Sequence, residues 1–189
     1  MRSHNTRVFY HLTRTENAKS ILENGLLPGN EIGKNNDWYG MHGNPGYVYT
    51  FSADSGVLKL LTPLLLFYTP FVWAKEKVSK KENREFGLPH KFSVLKVELP
   101  EDFKVERDYD QLLIYRSQRE DELYRMARSL SRGGAVPFGT LETEEKIKDF
   151  IDKIPTKTWD RRTGSYRIRQ GIPSKLVSKI SWLDLLLRN

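Results

Sequence analysis

The chain has 189 residues, 38% hydrophobic and 29% charged, the mix of an ordinary folded domain rather than of a disordered or fibrous segment. It contains no cysteine, which excludes disulfide frameworks, zinc–thiolate sites and cysteine nucleophiles. Thirty-one lysines and arginines against 24 acidic residues leave a formal charge of +7, a balance that favours a polyanionic partner or substrate.

The polar N-terminus shows no secretory pattern and runs into Arg7-Val8-Phe9-Tyr10-His11-Leu12, whose β-branched and aromatic residues predict a first strand. Thr15 then reads as the N-cap of a helix carrying Ile21, Leu22 and Leu26 on one stripe, with Gly25 at its C-terminus. Residues 28–46 hold five glycines, two prolines and four asparagines and predict a long loop. A second strand is expected at Tyr47-Val48-Tyr49-Thr50-Phe51, with Ser52 capping a helix that continues through Leu61. The apolar run from Val57 to Trp73 is interrupted by Lys59, Pro63 and Pro70, so it predicts a buried helix and connection rather than a membrane span.

A charged connection, Lys75 to Glu85, leads to an alternating strand at Phe92–Leu99. Leu123, Met126, Ala127 and Leu130 give a helix over Gln118–Ser131, ended by Gly133-Gly134, and a further helix is expected at Glu144–Ile154. Short strands at Tyr166–Arg169 and Ser178–Leu183 complete the set. Strands and helices are interspersed without regular β–α alternation, which predicts one α+β domain over residues 1–189 with a split, mixed sheet and flanking helices. An intracellular, cytoplasmic protein is expected.

His11 alone is weak evidence, because a single histidine at a strand end is usually structural. Its company is informative. Tyr10-His11-Leu12-Thr13 is followed by a helix ending Ile21-Leu22-Glu23-Asn24-Gly25-Leu26-Leu27-Pro28 and then by Tyr47-Val48-Tyr49-Thr50-Phe51-Ser52-Ala53. Near the end stands Gly171-Ile172-Pro173-Ser174-Lys175-Leu176-Val177-Ser178-Lys179-Ile180. This ordered set resembles the ADP-ribosyltransferase superfamily: a His-x-Thr strand, an I-x-x-x-G-L helix end, a V-Y-x-F-S strand and a closing I-P-x-x-x-I segment.

The resemblance implies a split-sheet fold with a cleft that holds NAD bent. In it, His11 would donate a hydrogen bond to the adenosine ribose, with Thr13 supporting the same region. Tyr49 or Tyr39 would stack on the nicotinamide, and Ser52 would lie near the nicotinamide ribose. Cleavage of the glycosidic bond builds positive charge on a ribose carbon, so the site must orient the sugar and stabilise that centre. The implied activity is transfer of ADP-ribose to a protein or nucleic-acid acceptor, toxin-like or otherwise.

Transferases of this superfamily place a glutamate shortly before the closing segment, which here falls near Ser165, where the chain has no acid. Asp160 is five positions too early, and Glu122, within Glu120-Asp121-Glu122, is the first choice to supply a catalytic carboxylate from a helix. The plain reading of that patch is a solvated helix face. A second branch of the superfamily, the RNA 2′-phosphotransferases, uses arginines and a histidine instead, and the stretch Arg84 to Leu95, with Arg84, Gly87, His90 and the following strand, resembles their basic segment. A module that binds NAD or nucleic acid without catalysis is the third reading.

Two basic runs, Lys75 to Arg84 and Arg161 to Arg169, carry Trp73, Phe86, Trp159 and Tyr166 among their cations, as phosphate contacts combined with base stacking require. Arg84, Arg167 and Arg169 are the candidate phosphate or nucleic-acid contacts, the last two expected on one sheet face. No P-loop, GxGxxG, HExxH or EF-hand pattern occurs, and no metal ligand is expected.

Overall fold

A computed structural model describes residues 6–33, 36–38, 41–59, 92–110, 120–131, 136–137, 139–181 and 184–185. In chain order these form β1 (Thr6–Arg14), α1 (Thr15–Asn24), β2 (Asn36–Trp38), β3 (Met41–Gly43), β4 (Val48–Ser52), β5 (Phe92–Pro100) and β6 (Glu106–Arg107). They continue with α2 (Glu120–Leu130), α3 (Glu144–Asp152), α4 (Thr156–Arg162), β7 (Ser165–Ile168) and β8 (Val177–Ile180). Short 3-10 turns lie at Gly29–Glu31 and Ser174–Leu176.

The class is α+β. Six strands form an open sheet in the order β6-β7-β4-β1-β5-β8, and β2 and β3 form a separate hairpin inside the stretch expected to be a loop. The expectation of a mixed sheet is corrected: among the described residues every pairing is antiparallel. The register explains why for the central pair. Phe9 lies opposite Ser52 and Tyr10 opposite Phe51, so the chain enters β4 at the end of the sheet where β1 left it. A return to the same end gives antiparallel pairing; only a crossover to the far end gives a parallel neighbour.

Strand alternation divides the core. Phe9, Leu95, Val97, Leu99, Val48 and Ile168 pack on one side with Ala18 of α1, Leu26, Ile172 and Val177. Tyr10 and Val94 pack on the other side with Leu58 and Leu185. A third cluster joins the helices through Leu123, Ala127, Ile147, Ile151 and Trp159.

Several local expectations change. The N-cap of α1 is Arg14, with no side-chain cap; the Thr15 hydroxyl instead accepts from Ser93 Oγ at 3.0 Å. Ser52 ends β4, and the cap of the helical turn at residues 56–59 is Ser55, whose Oγ accepts from the Leu58 N–H at 3.1 Å. The helix α4 was not expected, because residues 156–162 carry one large apolar side chain and no visible stripe. That side chain, Trp159, is 1% exposed and donates its indole N–H to the Ser165 carbonyl, so it is a core residue and not a stacking platform for bases.

The helix end and the closing segment, distant in sequence, meet directly. Leu26 N–H donates to the Ile172 carbonyl at 2.9 Å, and Ile172 N–H donates back to Leu26 at 2.8 Å. Gly25 permits the approach. It has φ +89°, and a Cβ there would sit 2.3 Å from the Ile172 oxygen. Among the described residues no helix is long and apolar enough to cross a membrane; most of the Val57–Trp73 run lies outside them.

Candidate functional site

β1 pairs with β5 over nine residue pairs but with β4 over only two, Phe9↔Ser52 and Tyr10↔Phe51. Past Tyr10 the ladder opens, and His11 fills the opening. Its Nδ1 lies 2.8 Å from the main-chain oxygen of Tyr49. The ring is half-buried, and its pKa is lowered because desolvation disfavours the imidazolium, with the carbonyl bond opposing. A carbonyl only accepts, so Nδ1 carries the proton and a neutral ring presents Nε2 as a lone pair. The resemblance casts His11 as a donor to ribose; here the polarity reverses, and Nε2 is an acceptor for a hydroxyl.

The side chain of Tyr49 belongs to a buried polar cluster. Its hydroxyl donates to Asp110 Oδ2 and accepts from the Asn44 N–H at 2.7 Å. Burial, then the carboxylate bond, raise its pKa. Arg167, directly opposite Tyr49 in the ladder, donates to Asp110 Oδ1 at 2.9 Å and through Nε to Glu106 at 3.2 Å. Its guanidinium carbon lies 4.4 Å from the Tyr47 ring centroid and 4.7 Å from that of Tyr109. Burial opposes its charge, but Asp110, Tyr47 and Glu106 outweigh it and raise the pKa. With its side chain 6% exposed and held by two carboxylates, Arg167 is an internal clamp and not a surface phosphate contact.

The position where the resemblance looks for a glutamate carries an acid indirectly. Ser165 is 2% exposed and donates its hydroxyl to Asp108 Oδ2 at 2.7 Å. The other oxygen of Asp108 accepts from the Asp110 N–H at 3.1 Å. Desolvation raises the Asp108 pKa to about 6, with the Ser165 bond opposing and the Asp110 charge adding. A continuous chain of contacts thus runs from His11 through Tyr49 and Asp110 to Asp108 and Ser165.

The remaining candidates scatter. Thr13 is buried opposite Ser93. Among the described residues the buried hydroxyls of Ser52 and Thr50 have no hydrogen-bond partner. By register Thr50 and Ser52 share the sheet face of Phe9 and His11, while Tyr49 faces the opposite side with Arg167 and Ser165. His11 therefore touches the main chain of Tyr49 while the Tyr49 ring faces elsewhere, which separates it from a platform on the His11 side. Glu122 lies in α2, which packs its Leu123 and Ala127 into the helical core; its side chain, Tyr39 and Arg84 are outside the description. Arg169 follows the end of β7, is exposed, and lines a polar recess separate from His11.

Sequence reasoning missed Asp108 and Asp110. The acids at every second position of Glu106-Arg107-Asp108-Tyr109-Asp110 were the available signal, but the partners lie 57 and 61 residues away. The chain matches no model of a known protein family, no curated protein and no solved structure.

Proposed function

We propose that the chain is an NAD-dependent, ADP-ribosyltransferase-like enzyme that transfers ADP-ribose to a protein or nucleic-acid acceptor. The observation that carries the reading is the His11–Tyr49 contact across the opened β1/β4 junction, because it joins the first and third of the quoted motifs. The bridge between Leu26 and Ile172 supports it by joining the second and fourth.

NAD supplies an electrophilic ribose carbon and nicotinamide as leaving group. His11 Nε2 accepts from a ribose hydroxyl, and the Ser52 hydroxyl, buried without a partner among the described residues, fits a second sugar contact. The Tyr49 carbonyl fixes the imidazole orientation. Negative charge for the developing cation is assigned to Glu122 on α2, because Asp108 and Asp110 bond Ser165, Tyr49 and Arg167 on the sheet face opposite His11.

Incubation with NAD labelled in the adenylate half, together with cell extract, tests the reaction. Label on a macromolecule with release of nicotinamide is expected; a folded sample giving neither rejects the enzyme. Glu122→Gln should lose turnover while NAD affinity persists, whereas Asp110→Asn, on the other face of the sheet, should not.

A further inference from the structure

A polar recess of about 370 Å³ lies between the turn at Gly29–Glu31, the turn at residues 44–46 and the end of β7. Asn30, Glu31, Asn44, Gly46, Tyr47 and Arg169 line it. Its walls are held from behind. The Asn30 N–H donates to the Pro45 carbonyl at 2.9 Å, the Gly46 N–H donates to Asn44 Oδ1 at 2.9 Å, and the Tyr47 ring lies against the Arg167 guanidinium. A ligand entering such a site orders little of the protein.

Arg169 differs from its neighbour Arg167. It is exposed, and among the described residues its side chain has no ion pair or hydrogen bond. The side chains of Asn30 and Glu31, also exposed, likewise have none among the described residues. One guanidinium and one carboxylate therefore share a cavity without pairing to each other. A guanidinium forks onto phosphate oxygens, whereas a carboxylate only accepts and suits hydroxyl donors. A ligand satisfying both ends carries a phosphate at one end and a diol at the other.

We propose that this recess binds a ribose phosphate, with Arg169 on the phosphate, Glu31 accepting from the ribose hydroxyls and Asn30 alongside. The volume lies near the lower end of small-molecule sites, which suits one nucleotide unit better than a dinucleotide. His11 does not line the recess, so the site stands apart from the NAD reading and does not rest on it.

The test is titration of the full chain with 5′-AMP, ribose 5-phosphate and inorganic phosphate, followed by calorimetry. Saturable binding of both sugar phosphates is expected, with Arg169→Ala weakening it about tenfold or more. Glu31→Gln should weaken ribose 5-phosphate and strengthen inorganic phosphate, because it removes a hydroxyl acceptor and a negative charge together. Absence of saturable binding, or indifference to Arg169→Ala in a folded variant, overturns the assignment. Displacement of AMP by a short RNA but not by the matching DNA identifies the source as a strand; failure of both to compete identifies a free nucleotide.

Discussion

The imidazole of His11 and the main-chain oxygen of Tyr49 lie 2.8 Å apart, across the point where β1 and β4 part. The carbonyl fixes the proton on Nδ1, and desolvation holds the ring neutral below its ordinary range. Nitrogen NMR at pH 7 should show His11 as the Nδ1–H tautomer, titrating below pH 6.5. An Nε2–H tautomer at neutral pH would contradict the assignment. His11→Ala should also remove NAD affinity; unchanged affinity would detach this ring from the dinucleotide.

Arg167 is the second point of leverage. Arg167→Ala strands Asp110 and Glu106 and should cost about 3 to 5 kcal/mol in urea unfolding. Arg167→Lys should recover only part of this, since an ammonium neither forks to two carboxylates nor stacks between two rings. Neither variant should alter the salt dependence of any oligonucleotide binding, because the guanidinium is internal. A reduced salt slope would show that it reaches phosphate.

Asp108 gives a signed pH dependence. Its folded pKa of about 6 lies above the ordinary 3.8, so the protonated form is favoured in the native state. Its stabilising contribution is complete below pH 3.8 and is lost as pH rises through about 6. The loss amounts to about 3 kcal/mol. Asp108→Asn keeps an acceptor for the Asp110 N–H and turns its amide N–H2 toward the Ser165 oxygen, without the charge. The stability difference between variant and wild type should therefore grow in favour of the variant from pH 4 to 7. A difference independent of pH would show that Asp108 titrates normally.

Gly25→Ala should destabilise by about 2 kcal/mol or more, since it combines a positive φ with a Cβ driven into the Ile172 carbonyl. Gly33→Ala is the control. It shares the positive φ, at +64°, but has no atom within 4 Å of the added carbon, and should cost about 1 kcal/mol. Equal losses in the two variants would mean that the bridge to Ile172 contributes nothing.

Period-two and period-3.6 patterns made β1, β5, α1 and α3 legible, because each buries one face against a continuous core. The alternation of Tyr166 and Ile168 likewise showed which side of β7 is apolar. It could not show that Arg167, on the other side, would be covered, since β6 is two residues long and leaves no periodic trace. Nor did it foresee that the ladder stops at Ile168, one residue short of Arg169. Asp108 and Asp110 escaped for the same reason as α4: their significance comes from partners that only the pairing of β6 with β7 brings near.

The mutual bonds between Leu26 and Ile172, with β8 flanking β5, bear on how the chain is made. A ribosome delivers β1 and α1 first, yet the strip that covers their apolar side emerges about 150 residues later. Until then Phe9, Leu95 and Val97 lack Ile172 and Val177 as neighbours. The nascent protein carries an uncovered sheet until residues 172–177 emerge, and that interval is when a holding chaperone would find it.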